Sequence, residues 1–241
     1  ADEYLTIWHR LMAGESVTHK GKYFQTEGAK LALPAGSAIQ PPPLWFGGSS
    51  DSAIEVAAKH VETYLSWGET PEQMGEKVKK VKARAAEHGR ELTYGIRLYV
   101  IVRQTDAKAW EAAADLYDQM DDIAIAGNQR FVSNTDSVGQ QRMSAMHGAI
   151  TPAHLRDLSI APHLWAGIGP VRPRPGTAIV SSPATVTRTL EAYTHAGLDT
   201  FILSGMPLLE ASYRFSELLL PNLPSDPLPP ARPHLPSPPP S

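Results

Sequence analysis

Apolar residues recur at three- and four-residue spacing over 2–13, where Leu5, Trp8, Leu11 and Met12 share one face. This pattern predicts a helix, with Gly14 as its stop. Residues 17–33 alternate irregularly around Lys20-Gly21-Lys22, a turn signal, and predict a short hairpin. Pro34 to Pro43 reads as a loop. Leu44-Trp45-Phe46 is a short apolar strand that runs into Gly47-Gly48-Ser49-Ser50, and 51–60 has helical spacing. Val61 to Trp67 alternates as a strand. Thr70, Pro71 and Gln73 form a helix start with the elements of a capping box, and the helix body runs to His88 before Gly89. Residues 93–103, TYGIRLYVIVR, give the strongest strand signal in the chain. A helix over 107–121 follows, capped by Thr105 or Asp106.

Residues 122–175 lose this regularity. They carry Gly, Asn, Ser and Pro, and a stretch of this length without a period reads as a long functional loop. A short strand or turn at 177–180, a helix from Pro183 to His195, a buried strand at 200–203 and a final helix near 207–220 complete the pattern. Strands alternating with helices across short turns predict an α/β fold with a parallel sheet. Four such units are half of what a closed (β/α)8 barrel requires. The expected architecture is therefore the C-terminal half of a TIM barrel, about four βα units, incomplete as a standalone barrel.

Composition changes this picture at one end. Of the 22 prolines, ten lie in residues 221–241. Proline has no N–H and a fixed φ, so 221–241 is expected to be a disordered or polyproline-II tail behind a domain at 1–220. The formal net charge is −3, from 22 basic and 25 acidic side chains, which argues against a nucleic-acid partner. With no cysteine, thiolate metal sites, disulfides and a cysteine nucleophile are excluded. The nine histidines show no metal-ligand spacing, so no metal site is expected. No apolar run is long enough for a membrane span, and Ala-Asp-Glu-Tyr is not a signal peptide; the expected location is the cytoplasm.

Three features carry candidate chemistry. In strand–Gly47-Gly48-Ser49-Ser50–helix, two glycines allow close backbone approach, two hydroxyls donate, and a helix N-terminus offers free N–H groups. That is a candidate anion cradle, or simply a tight Ser-capped turn. In the 93–103 strand, alternation puts Arg97 and Tyr99 on one face with Gly95, Ile101 and Arg103. An arginine at that depth needs an anionic partner or an active-site mouth. Arg172 and Arg174 stand among prolines in the long loop, as an anion clamp on a mobile lid or as a solvated basic loop. Trp67, at a strand end, could stack on a ligand ring or sit in the core.

The segments PPLWFGGSSDSAIEVAAKHVETYLSWGETPEQM, GIRLYVIVRQTDAKAWEAA, NTDSVGQQRMSAMHG and LWAGIGPVR, in that order, resemble the bacterial luciferase-like flavin monooxygenases. More narrowly, they are similar to FMNH2-dependent alkanesulfonate monooxygenases. The resemblance covers about residues 1–220. It implies a TIM-barrel enzyme that takes reduced FMN from a separate NAD(P)H:FMN reductase. With O2, it converts an alkanesulfonate to aldehyde and sulfite, and a homo-oligomer is implied for the full-length protein. Gly47, Gly48, Ser49 and Ser50 match the loop on the flavin phosphate side, Arg97 the strand arginine near substrate and flavin, and Arg172 the arginine of the mobile loop.

Two positions depart from the family pattern. Tyr99 stands where the family has His, and Met206 where it has Tyr. Tyr99 still offers a hydrogen bond as a candidate catalytic group, whereas Met206 offers no proton. Half a barrel would leave open strand edges, so the expectation is either a fragment of a longer protein or a chain completed by another. The alternatives are an oxidoreductase of the same fold that uses F420, and a non-catalytic fragment or interaction module.

Overall fold

The computed structural model describes residues 1–32, 41–120, 123, 125–127, 130, 155–171 and 176–223. The chain opens with helix α1 (Asp2–Met12) and an antiparallel hairpin, β1 (Val17–Lys20) and β2 (Gln25–Ala29). The Glu3 carboxylate joins the two by accepting the backbone N–H groups of Lys22, Tyr23 and Phe24 at 2.8, 2.9 and 3.0 Å. These bonds hold its carboxyl below the usual carboxylate range.

Then comes the repeating part: β3 (Trp45–Gly47), α2 (Asp51–His60), β4 (Thr63–Trp67), α3 (Pro71–Glu87), β5 (Thr93–Val102) and α4 (Asp106–Asp118). The capping box foreseen at Thr70 and Gln73 is formed, with Pro71 in the first turn. Gly89 takes φ +65° just past α3, where a side chain would be strained. Strands β6 (Ser159–Ala161), β7 (Leu164–Trp165), β8 (Ala178–Ser181) and β9 (Thr200–Ser204) follow, with helices α5 (Pro183–His195) and α6 (Leu208–Leu218) after β8 and β9.

Strands β3, β4, β5 and β9 lie side by side and parallel. Their convex face carries Tyr64, Ile96, Leu98 and Val100, packed on Ala57, Met74, Val78, Val81, Val186 and Tyr193 of the helices. Strand β5 is longer than its neighbours. Gly95 to Arg97 pair with β4 on one edge and β9 on the other; beyond Trp67, β8 takes over the edge that β4 leaves, starting at Tyr99.

The stretch expected to be irregular therefore holds structure. Over 155–171 it forms the β6–β7 hairpin, turned at His163 with φ 64° and joined antiparallel to β8. The cause is the apolar run Leu164-Trp165-Ala166 with Ile168, all buried. With Tyr99, Ile101, Ala109, Ala113, Leu158, Ala178 and Val180, Trp165 and Ile168 make a second core beneath α4. Residues 221–223 form the end of a short helical turn, and Leu223 packs on the main core. Residues 224–241, most of the proline tail, lie outside the described residues.

Asp106 ties the two cores together. Its Oδ1 accepts from Ser181 Oγ at 2.7 Å and from the Ser182 backbone N–H at 2.8 Å, and Ser181 Oγ also meets His163 Nδ1 at 3.2 Å. These bonds hold the Asp106 carboxyl down at about 2. A depressed carboxyl stabilises the fold above its ordinary value of 3.8, and that contribution fades as pH falls toward 2. Asp106→Asn should therefore lower the melting temperature at pH 6, by about 1 kcal/mol of stability once solvent screening is allowed for. The gap from the parent should close between pH 4 and pH 2, as measured by thermal melts across pH.

Candidate functional site

The ends of β3, β4 and β5 place the sequence-predicted groups. Gly47, Leu65 and Gly95 are level across the three strands, and one pleat further on Trp67 stands beside Arg97. Arg97 and Ile202 pair on the other side. The loop Gly47–Ser50 and the Arg97 side chain thus belong to the same carboxyl end of the sheet. Two strand spacings separate them, about 10 Å, where parallel α/β sheets bind ligands.

Arg97 is exposed while every other residue from Tyr94 to Val102 is buried. Among the described residues it has no ion-pair partner, so the buried arginine–carboxylate pair is not what is found. Trp67 is half-buried beside it, and Trp45, on the same concave face of β3, is 47% exposed. At the next level down the neighbouring strands crowd β5. A Cβ on Gly95 would lie 2.7 Å from Leu65 Cδ2 and 3.2 Å from the Thr200 carbonyl oxygen. Tyr99 shares the parity of Arg97 but not its environment: it is 2% exposed, in the second core with Trp165. Arg172 and Arg174 lie outside the described residues.

The Gly47–Ser50 loop is tightly built. Ser50 caps α2, its Oγ accepting from the Ala53 N–H at 3.2 Å. A Cβ on Gly48 would meet Ala53 Cβ at 2.5 Å, and one on Gly47 the Leu65 carbonyl oxygen at 3.0 Å. Only glycine fits this close path over the start of a helix. Tyr64, at the convex face of β4, donates from its hydroxyl to the Gly48 carbonyl at 2.6 Å. The loop has the features of a phosphate cradle: backbone that a side chain would block, hydroxyls at Ser49 and Ser50, and the amino end of α2.

Sequence reasoning missed what lies beneath Ser49. Lys77 Nζ donates to Ser49 Oγ at 3.2 Å and to Ser66 Oγ at 3.0 Å, and pairs with the Glu69 carboxylate. Ser66 Oγ also donates to that carboxylate. The Lys77 and Glu69 side chains are 9% and 3% exposed. Tyr193 of α5 donates to the Glu69 carbonyl at 2.5 Å, and burial pushes its own hydroxyl far up from the ordinary value. A signal for Lys77 existed: it falls among Met74, Val78 and Val81, the residues α3 buries. A charge on that stripe must be paired.

The model of the luciferase-like monooxygenase family matches residues 1–200. Among solved structures, a long-chain alkane monooxygenase (LadA) aligns with TM-score 0.65 at 20% identity, over 92% of this chain and 54% of its own. Riboflavin lyase (RcaE), solved with modified FMN and riboflavin, aligns with TM-score 0.64 at 21% identity, over 86% and 47%. The coenzyme F420-dependent tetrahydromethanopterin reductase from Methanopyrus kandleri gives TM-score 0.57 at 18% identity, over 92% and 62%. The chain thus spans about half the length of the structures it matches, and its parallel sheet curls as half of a barrel. With the family model covering most of its length, the chain belongs to the luciferase-like monooxygenase family.

Proposed function

We propose that this chain is the carboxyl-terminal half of a two-component, FMNH2-dependent monooxygenase of the alkanesulfonate type. The observation that carries the reading is Arg97: an exposed guanidinium on the concave face of a parallel sheet, beside Trp67 and at the same end as a glycine-lined anion loop. Among the described residues the outer edges of β3 and β9 have no strand partner, and the other half of the barrel would close them. The domain is taken as residues 1–220 and the proline-rich segment as a dispensable tail. No helix among the described residues is long and apolar enough to cross a membrane.

The loop fits the phosphate of FMN. Gly47 and Gly48 leave room for it, and the Ser49 and Ser50 hydroxyls with the first N–H groups of α2 would hold it. Reduced flavin, delivered by an NAD(P)H:FMN reductase, supplies the electrons with which O2 is activated. In the net reaction, one oxygen atom would go to the aldehyde carbon and the other to water, as the α carbon gives up a proton, the C–S bond breaks and sulfite leaves with the bonding pair. Arg97 would hold the sulfonate and stabilise negative charge as it builds on the departing sulfite. Arg172 would close over the same anion from the long loop, and Trp67 would shield it from water. Tyr99, two residues further along the strand, would act through the packing of β5 against the second core. An F420-dependent oxidoreductase is the second reading, favoured by the likeness to the Methanopyrus kandleri reductase. Cofactor binding monitored by absorbance separates the two.

Two outcomes test this reading. In a barrel completed with the amino-terminal half, sulfite release from octanesulfonate with FMNH2 and O2 should be measurable with a thiol reagent. Arg97→Ala should lower kcat/KM at least 100-fold, and Arg97→Lys should restore only part of it, because lysine lacks the planar fork. The 241-residue chain alone should release none. Turnover by the chain alone, or an Arg97→Ala variant at parent rate, contradicts the assignment. Separately, Gly48→Ala should cost about 1–3 kcal/mol by forcing its Cβ against Ala53. It should also weaken FMN binding, read by flavin fluorescence quenching beside a urea melt.

A further inference from the structure

We infer that Lys77 is the positioning residue of the anion loop: its buried ammonium, clamped by Glu69 and Ser66, fixes Ser49 and lends the loop a positive charge. The inference rests on the reading of Gly47–Ser50 as the flavin phosphate site and adds the group that sets its charge and shape.

Apolar packing already anchors α3, which buries Met74, Val78, Val81 and Ala85. Burying an ammonium and a carboxylate is costly even when they are paired, so such a pair is weak as a stabilising device. Its position explains it better. Glu69 comes from the turn after β4, Ser66 from the end of β4, Ser49 from the turn after β3, and Lys77 from the second turn of α3. Lys77 thus touches both adjoining strand–helix turns.

Two consequences follow for Ser49. A hydroxyl that accepts from an ammonium has its rotor fixed, and its own O–H becomes a stronger donor. Tyr64 meanwhile holds Gly48 from the same strand, so successive residues of the loop are pinned by buried side chains. The ammonium also lies one hydroxyl away from where an anion would sit. The side chains around it shield it from water, and its field there is correspondingly strong. Glu69 offsets much of the charge when the loop is empty. A dianionic phosphate would draw the ammonium toward Ser49, so the ligand class that benefits most is a phosphomonoester. A neutral or singly charged group gains less.

FMN and riboflavin differ by that phosphate alone, and this separates the inference from the reading below it. The 15N-labelled full chain is titrated with each under identical conditions, following the amide signals of Gly47 to Ser50. In the parent, FMN should shift these amides at concentrations at least ten-fold below those riboflavin needs. Lys77→Met takes the ammonium away from a buried carboxylate, so the paired variant Lys77→Met/Glu69→Gln is tested beside it. Its fold is checked by the methyl signals of Met74 and Val78. In the paired variant the preference for FMN over riboflavin should fall at least five-fold, with riboflavin binding unchanged. Ser49→Ala alone should lose a similar share. Ser49→Ala combined with the paired variant should lose little more, because Lys77 acts through Ser49.

A paired variant that folds and keeps the parent's preference overturns the role of Lys77 while leaving the phosphate site standing. Losses from Ser49→Ala and the paired variant that simply add overturn the route through Ser49. A parent chain whose loop amides respond alike to FMN and riboflavin overturns the phosphate reading itself, and the inference with it.

Discussion

A parallel sheet has to cover both of its faces, because each strand presents apolar side chains in both directions. Here α2, α3 and α5 cover the convex face of β4 and β5, and Phe46 of β3 with Phe201 and Leu203 of β9 packs partly buried against the same core. The concave face is covered only at its far end, where α4 and the 155–171 segment close over Tyr99 and Ile101. What remains is the part that bears Trp45, Trp67 and Arg97. Among the described residues no layer covers those side chains, and the functional reading follows from their exposure: in a closed barrel the same residues would line an interior mouth.

Strand β5 organises this arrangement. It is the only described strand bonded to three others, and its ten residues divide between the two cores. Its amino half is flanked by β4 and β9 and its carboxyl end by β8. Its side chains divide by face: Tyr94, Ile96, Leu98, Val100 and Val102 join the main core, Tyr99 and Ile101 the second. Arg97 stands at the changeover, and Asp106, just past the strand, fastens the second core to the corner through Ser181 and Ser182.

Most of the elements were legible in the sequence because each carried its own punctuation. The Thr70–Pro71–Gln73 start and the Gly89 stop bracket α3 within a residue, and the alternation in 93–103 gave both the strand and the parity that groups Arg97 with Gly95. Periodicity could not distinguish the environments of Arg97 and Tyr99. They share a face, but only the folded chain shows that α4 and Trp165 bury the second and leave the first open. The β6–β7 hairpin was missed because its strands are three and two residues long, too short for any period to register. The Gly47–Ser50 loop was visible as glycine and serine chemistry. Its support was not, because Lys77 meets Ser49, Glu69 and Ser66 across separations of 28, 8 and 11 residues that no local pattern encodes.

The crowding over Gly95 has a consequence for how Arg97 is presented. Leu65 fills the space a side chain at 95 would need, with the Thr200 carbonyl beside it, so β4 and β9 both press on β5 at that residue. A larger residue there would push both neighbours aside, and with them Trp67 and Ile202, which pair with Arg97 two residues further on. The direction in which the guanidinium is offered therefore depends on a position that has no side chain.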